Sequence, residues 1–233
     1  MDAPKYATLQ KVRNEQRTFA ITPRIPGGFI TPELLTKIAE VAKKYNGTLK
    51  MTSGQRIMIL GLKGEDVNKA WEDLGMEPAV LSPYSVKNTE MCPAAFCKRA
   101  KQNSLKLGMM IEKEFYGTDA PNRTKIAVAG CRNACGSAHA KDIGVIADKP
   151  GYRITVGGSA GFHPRLPDLV AEELTEEEAF LMVKTIMKYY RETAEFGEKL
   201  GPFIDRIGLD RFKEDVHNLF KESNSYWLIH SIT

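Results

Sequence analysis

Four cysteines make up the whole thiol content of this 233-residue chain, and they fall into two pairs. Cys92 and Cys97 form a C-x4-C pair, and Cys131 and Cys135 a C-x3-C pair. A cubane iron–sulfur cluster takes four thiolate ligands, so the count matches with none left over. Cys92 stands before Pro93 and an expected helix start, where free N–H groups and the helix dipole favour negative charge. Cys131 follows an expected strand and Gly130, where the backbone can approach a bulky group closely. Other uses of four cysteines compete with this one. Structural zinc sites usually show C-x2-C knuckles, a spacing neither pair has. Separately buried thiols are common in protein cores, but two close pairs and no others count against that. A disulfide framework belongs to oxidising compartments. The segment Met1 to Arg17 is polar and has no apolar run of the signal-peptide kind, so a reducing cytoplasm is expected.

Composition narrows the class. Apolar residues at 42% and charged residues at 27% suit a folded domain with a real core. A net charge of +4 without a basic run or arginine-rich arm gives no nucleic-acid signal. No stretch approaches the roughly 20 apolar residues of a membrane helix.

The elements that must position the cysteines follow from periodicity. Phe19 to Ile25 reads as a strand, and Gly27-Gly28 as a turn. Thr31-Pro32 then caps a helix whose apolar residues run from Leu34 to Tyr45. Strands over Thr48 to Thr52 and Arg56 to Leu60 flank the turn Ser53-Gly54-Gln55, and a helix from Gly64 to Leu74 ends at Gly75. This β-α-β-β-α order predicts a ferredoxin-like α+β unit, left through a linker at Pro78 to Pro83. Beyond it, a helix is expected from Cys92-Pro93 to about Tyr116. Strands are expected over Lys125 to Ala129, Ile143 to Ala147 and Tyr152 to Val156. Gly157 to Gly161 reads as a flexible loop that could cradle an anion through its N–H groups. Thr175 and Glu178 form a capping box for a helix to about Arg191. The region Phe203 to Phe220 reads as a helical tail. The domain boundaries expected are 1–83, 84–216 and a tail at 217–233, whose role the sequence leaves unassigned.

Several of these segments together resemble one family. Gly130-Cys131-Arg132-Asn133-Ala134-Cys135-Gly136 is similar to the G-C-x-N-x-C-G signature of siroheme sulfite and nitrite reductases. Cys92 to Lys98 resembles the upstream cysteine pair of that family, Arg24 to Gly28 its R-x-P-G-G segment, and Met51 to Arg56 its T-x-x-Q turn. The likeness spans about Arg17 to Val216. It implies an α+β protein: a ferredoxin-like half domain followed by a siroheme- and [4Fe-4S]-binding α+β domain. It further implies that Cys92, Cys97, Cys131 and Cys135 hold the cluster and that the Cys135 thiolate bridges cluster iron to siroheme iron. Arg24, Gln55, Arg56 and Asn133 become expected cofactor contacts. Arg123 and Lys125 align with a basic pair that meets substrate, and Lys87 with another substrate-side cation. Lysine can also donate a proton when nearby cations and burial lower its proton affinity. Family members with two copies of this half place siroheme at their interface, so a single copy implies a homodimer.

The resemblance implies an enzyme reducing sulfite to sulfide or nitrite to ammonia, fed by an external electron donor such as a ferredoxin, with no nucleic-acid or membrane partner. Two departures bear on that. The upstream pair is C-x4-C where the family usually has C-x5-C, and Thr22 and Gly54 stand where arginines often lie near substrate. The enzyme remains the leading expectation; the Thr22 and Gly54 departures lend some weight to the alternative, a non-catalytic siroheme and iron–sulfur redox protein.

Overall fold

The computed structural model describes residues 4–12 and 16–230, with side chains to residue 224. The chain divides into two compact units, Met1–Leu81 and Ser82–Thr233. The division falls inside the linker expected from the prolines.

The first unit contains β1 (Thr8–Leu9), β2 (Phe19–Ile21), α1 (Pro32–Lys44), β3 (Thr48–Met51), β4 (Ile57–Leu62) and α2 (Val67–Leu74). Its antiparallel sheet has the order β1-β2-β4-β3. The Thr31 hydroxyl accepts the Leu34 N–H at 3.3 Å, which satisfies an orphan donor of α1, and Pro32 fits the first turn. α2 stops at Gly75, whose left-handed φ of 56° lets its N–H return to the Trp71 carbonyl. Ile21, Ile38, Val41, Ile59, Leu62, Val67 and Leu74 form the core between helices and sheet. Each fully buried aliphatic side chain there contributes about 1.5–3 kcal/mol relative to exposure. The ferredoxin-like reading holds for this unit.

The second unit contains β5 (Glu90–Met91), α3 (Ser104–Phe115), β6 (Ile126–Ala129), β7 (Ile143–Ala147), β8 (Tyr152–Val156), β9 (Asp168–Leu174), α4 (Glu176–Thr193), α5 (Leu200–Ile207) and α6 (Leu209–His230). The sheet runs β5-β6-β7-β8-β9; the β5–β6 and β6–β7 pairs are parallel and the remaining two antiparallel. Strand alternation divides the residues of β6 and β7 between its two sides. Ile126, Val128, Ile143, Val145 and Ile154 join Leu107 and Ile111 of α3, Val183 and Ile186 of α4, and Phe203 and Phe212 in the main core. The opposite side is lined with small residues: Ala127 and Ala129 cluster with Ala134, Ala138 and Ile146.

Three expectations change. The helix expected from Cys92-Pro93 begins only at Ser104. Residues 92–103 form a loop with one 3-10 turn, in which Ala94 takes a φ of 32° and the Lys101 N–H donates to Gly130 O. Strand β9 was not anticipated, because Asp168, Glu172 and Glu173 obscure its alternation; Glu173, with a φ of 62°, marks its irregular register with β8. Residues 217–230 continue α6 without a break, and Phe212 and Val216 on that helix are fully buried. No described helix is long and apolar enough to cross a membrane.

Candidate functional site

Parallel pairing of β5 with β6 decides where the cysteines go. Glu90 pairs with Ala127 and Met91 with Val128, so the two strands end together and each runs straight into a cysteine loop. Ligand sites in open α/β sheets form beyond such carboxyl ends. The Cys92 N–H donates to Val128 O at 3.2 Å, one further rung of the ladder, and the Gly130 N–H donates to Cys92 Sγ at 3.1 Å. Hydrogen bonds to a ligating sulfur tune the potential of a cluster. The loops adjoin elsewhere too. A Cβ on Gly130 would lie 3.2 Å from Ala94 Cα, and one on Gly136 would lie 3.6 Å from Cys92 N.

All four cysteines are free thiols. Cys92 is buried, Cys97 and Cys131 are half-buried, and Cys135 is exposed. Ala94, Ala134 and Ser137 hold left-handed φ angles of 32°, 42° and 59° within these loops. Backbone strain of this kind, about 1–3 kcal/mol per residue, collects at functional sites. Among the described residues no three Cys, His, Asp or Glu side chains converge as they would on one ion. The thiols are distributed over two adjoining loops, an arrangement compatible with a four-cornered cluster.

A set of charges lies on the same segments of chain, most of it at the amino ends of β6 and β7, with Glu90 on β5 itself. Lys125 stands at the start of β6, and its N–H donates to Asp142 Oδ2 at 2.8 Å. Burial lowers the proton affinity of its ammonium, and the charges of Lys141 and Arg123 lower it further. Glu90 and Asp142 act in the opposite direction on the same group. Burial in turn pushes the Asp142 carboxyl above the usual carboxylate range. Lys141 is paired with Glu90 at 2.7 Å, both side chains buried. Asn88, 2% exposed, has no hydrogen-bond partner for either amide atom. An orphaned buried amide costs about 1–3 kcal/mol, and a bound polar group would relieve it. Asn88 precedes Glu90 by two residues in a segment parallel to β6, a spacing that favours the side of the chain that carries Glu90. The donor set thus fits a thiolate-bound cluster, and the cations and orphan amide fit an anionic group.

Arg123 also borders a cleft of about 480 Å³ walled by Gly157 to Ser159, His163 and Lys199. Arg165 pins that loop by donating to Gly157 O at 3.2 Å and to Asp205 Oδ1 at 2.8 Å. Lys87 is buried, and its ammonium bonds Ser82 O and Ser85 Oγ. Asn133 is exposed in the turn between Cys131 and Cys135.

The other expected cofactor contacts belong to the first unit. The 3-10 turn at Pro26–Gly28 presses on the β3–β4 turn: a Cβ on Gly28 would come 2.9 Å from Gln55 Cβ. Thr52 and Arg56 close that turn by backbone and hydroxyl hydrogen bonds, and Gln55 takes the left-handed position with φ 57°. The Arg56 guanidinium lies across Gly54, where a Cβ would come 2.5 Å from Nη2. Arg24 pairs with Glu77 at 2.6 Å.

Sequence reasoning singled out Arg123 and Lys125 but missed Asn88, Glu90, Lys141 and Asp142. The polar run Lys87-Asn88-Thr89-Glu90 is fully buried, and its position just before Cys92 was the available signal.

Comparison with known proteins identifies the family. Residues 84–223 match the family model described as the nitrite and sulphite reductase 4Fe-4S domain, and residues 12–77 match the nitrite/sulfite reductase ferredoxin-like half domain. An assimilatory-type sulfite reductase of Nitratidesulfovibrio vulgaris is 35% identical over 92% of this chain and 98% of its own length. A nitrite reductase [NAD(P)H] of Bacillus subtilis is 37% identical over 91% of this chain, which covers 26% of that longer protein. The crystal structure of dissimilatory sulfite reductase I shares the fold with a TM-score of 0.76 at 15% identity, over 86% of this chain and 69% of that one. The Mycobacterium tuberculosis NirA protein does so with a TM-score of 0.75 at 16% identity, over 90% and 42%. With both of its units matched and a full-length relative above 30% identity, the chain belongs to the nitrite and sulfite reductase family.

Proposed function

We propose that this protein reduces sulfite to sulfide or nitrite to ammonia at a siroheme coupled to a [4Fe-4S] cluster. The observation that carries the reading is the meeting of two cysteine loops at the ends of paired parallel strands, in a sheet whose strands also carry a group of cations. Membership of the family implies both cofactors. When bound, they supply the electron transfer and the iron that takes the substrate.

The chain's own residues then have separable tasks. Cys92, Cys97, Cys131 and Cys135 hold the cluster. Cys135, the most exposed of the four thiols, would be the one shared with siroheme. Arg123 and Lys125 attract the anionic substrate; the planar guanidinium orients it and the ammonium acts as a point charge. Lys125 also serves as a proton donor at Nζ, since burial and neighbouring cations weaken its hold on the proton. Asn88 offers an amide to the bound group. Arg24, Gln55, Arg56 and Asn133 are assigned to siroheme, and Lys87 to the substrate side.

Electrons come from a separate donor such as a ferredoxin, since the four cysteines are committed to one cluster. We further propose a homodimer in the cytoplasm, where the thiols stay reduced until the cluster forms. Steady-state turnover of sulfite and of nitrite with a reduced dye, run beside sedimentation of the holoprotein, tests the reading. Turnover of either anion by a dimer is expected. A loaded protein that turns over neither leaves only a non-catalytic redox role.

A further inference from the structure

The ion pair between Glu90 and Lys141 has Nζ and Oε2 2.7 Å apart, with the side chains 4% and 8% exposed. Removing two charges from water often costs more than their attraction returns, so stability of the fold is a weak reason for the pair. Its location is more informative. Glu90 lies on β5, two residues before Cys92. Lys141 follows the 3-10 turn Ala138–Ala140, which follows Cys135. Asp142, next in sequence, accepts the Lys125 N–H at 2.8 Å. The pair therefore joins the strand entering the first cysteine loop to the segment leaving the second, and the adjacent Asp142 ties that segment to the residue before β6. Gly158 closes on that same turn, where a Cβ would come 2.9 Å from Lys141 O.

We infer that Lys141, held by Glu90, is a positioning residue of the reaction site: it keeps a fixed positive charge beside Lys125, so that Lys125 meets an anion as one of a group of cations. The inference rests on the reading of Lys125 as anion-binding proton donor. Four charged side chains act on the Lys125 ammonium: Arg123 from the same segment before β6, Lys141 and Asp142 from the residues before β7, and Glu90 from β5. Among them Lys141 has the largest influence, second only to burial.

The sign of each neighbour gives a test that a purely structural clamp fails. In holoprotein, the pH dependence of Lys125 acetylation by acetic anhydride, measured by peptide mass spectrometry, reports the free-amine fraction without using activity. Lys141→Gln removes a positive neighbour, so the Lys125 midpoint rises and its reactivity at a fixed pH falls about three- to tenfold. Glu90→Gln removes a negative neighbour, so the midpoint moves the opposite way. Lys141→Arg keeps the charge and leaves the midpoint near that of the parent. If the pair is only a clamp, either Gln variant admits water at the same place and both midpoints move up together, which overturns the inference, as does no movement in either.

Should Glu90→Gln fail to fold, Glu90→Leu/Lys141→Met keeps the packing. There the midpoint rises, because the larger of the two influences is Lys141, and an unchanged midpoint overturns the inference. Lys125→Met separates the two levels: retained turnover removes the proton-donor reading of Lys125, while the labelling shifts judge Lys141 independently.

Discussion

Gly144 gives the most direct test of how the sheet supports the cysteine loops. It lies in β7 opposite Thr155, in an extended conformation open to any residue. A Cβ there would come 2.5 Å from Thr155 Oγ1 and 2.6 Å from Ala138 O. The hydroxyl can rotate away. The carbonyl belongs to the 3-10 turn between Cys135 and Lys141, and must retreat by about 0.4 Å merely to reach the 3.0 Å that real Cβ atoms keep. Forcing one carbon into a packed site costs about 1–3 kcal/mol, offset by about 0.5–1 kcal/mol from the lower chain entropy of alanine. At the middle of both ranges Gly144→Ala should therefore lose about 1 kcal/mol net, or about 2–4 °C in Tm for a chain of this size. Iron content should fall as well, because the displaced turn follows directly from the Cys135 loop. Thermal unfolding with iron quantification measures both. Gly161→Ala is the control, since its Cβ would have only an ordinary 3.5 Å contact with Ser159 Oγ. Equal stability and iron loading of Gly144→Ala and the parent would refute the packing argument.

Lys125→Arg keeps a cation but removes the easily released proton. Because the Lys125 ammonium loses its proton at lower pH than an ordinary lysine, KM for the anion in the parent should climb on the alkaline side earlier than a surface lysine would dictate. In Lys125→Arg that limb should move to higher pH while kcat falls, as read from initial rates across pH. Glu90→Ala leaves the buried Lys141 ammonium unpaired and should cost about 3–5 kcal/mol in denaturant unfolding, whereas Glu90→Leu/Lys141→Met should be close to neutral. Thr175→Ala removes the capping box at the start of α4, where the Thr175 hydroxyl accepts the Glu178 N–H and the Glu178 carboxylate accepts the Thr175 N–H. It should lower stability by about 0.5–2 kcal/mol without changing iron content.

Much of this architecture was legible in the sequence where local chemistry decides the outcome. Strands β7 and β8 and the capped helices α1 and α4 appear near their expected places, because apolar periodicity and the Thr31 and Thr175 caps are local signals. The cysteine spacing pointed to one four-thiolate group, and strand pairing brings the two loops together. Other features depend on partners distant in the chain. The loop at 92–103 replaces an expected helical start because Lys101 N–H bonds Gly130 O across the two cysteine loops. The buried polar run Lys87 to Glu90 reads as solvent-facing until Glu112 is seen to accept the Thr89 N–H at 2.6 Å and Lys141 to pair with Glu90. Gly54, one of the two departures from the family pattern, is covered by the Arg56 guanidinium, so a cation still occupies that part of the first unit.

The account stands most directly on one measurement: the ultraviolet–visible spectrum of anaerobically purified protein, with iron, acid-labile sulfide and tetrapyrrole quantified together. It predicts a Soret band with red-shifted chlorin-type bands, acid-labile sulfide, and iron in excess over tetrapyrrole, all lost together in Cys135→Ser. Zinc in place of iron, or a cluster band without tetrapyrrole after siroheme is supplied, would contradict it.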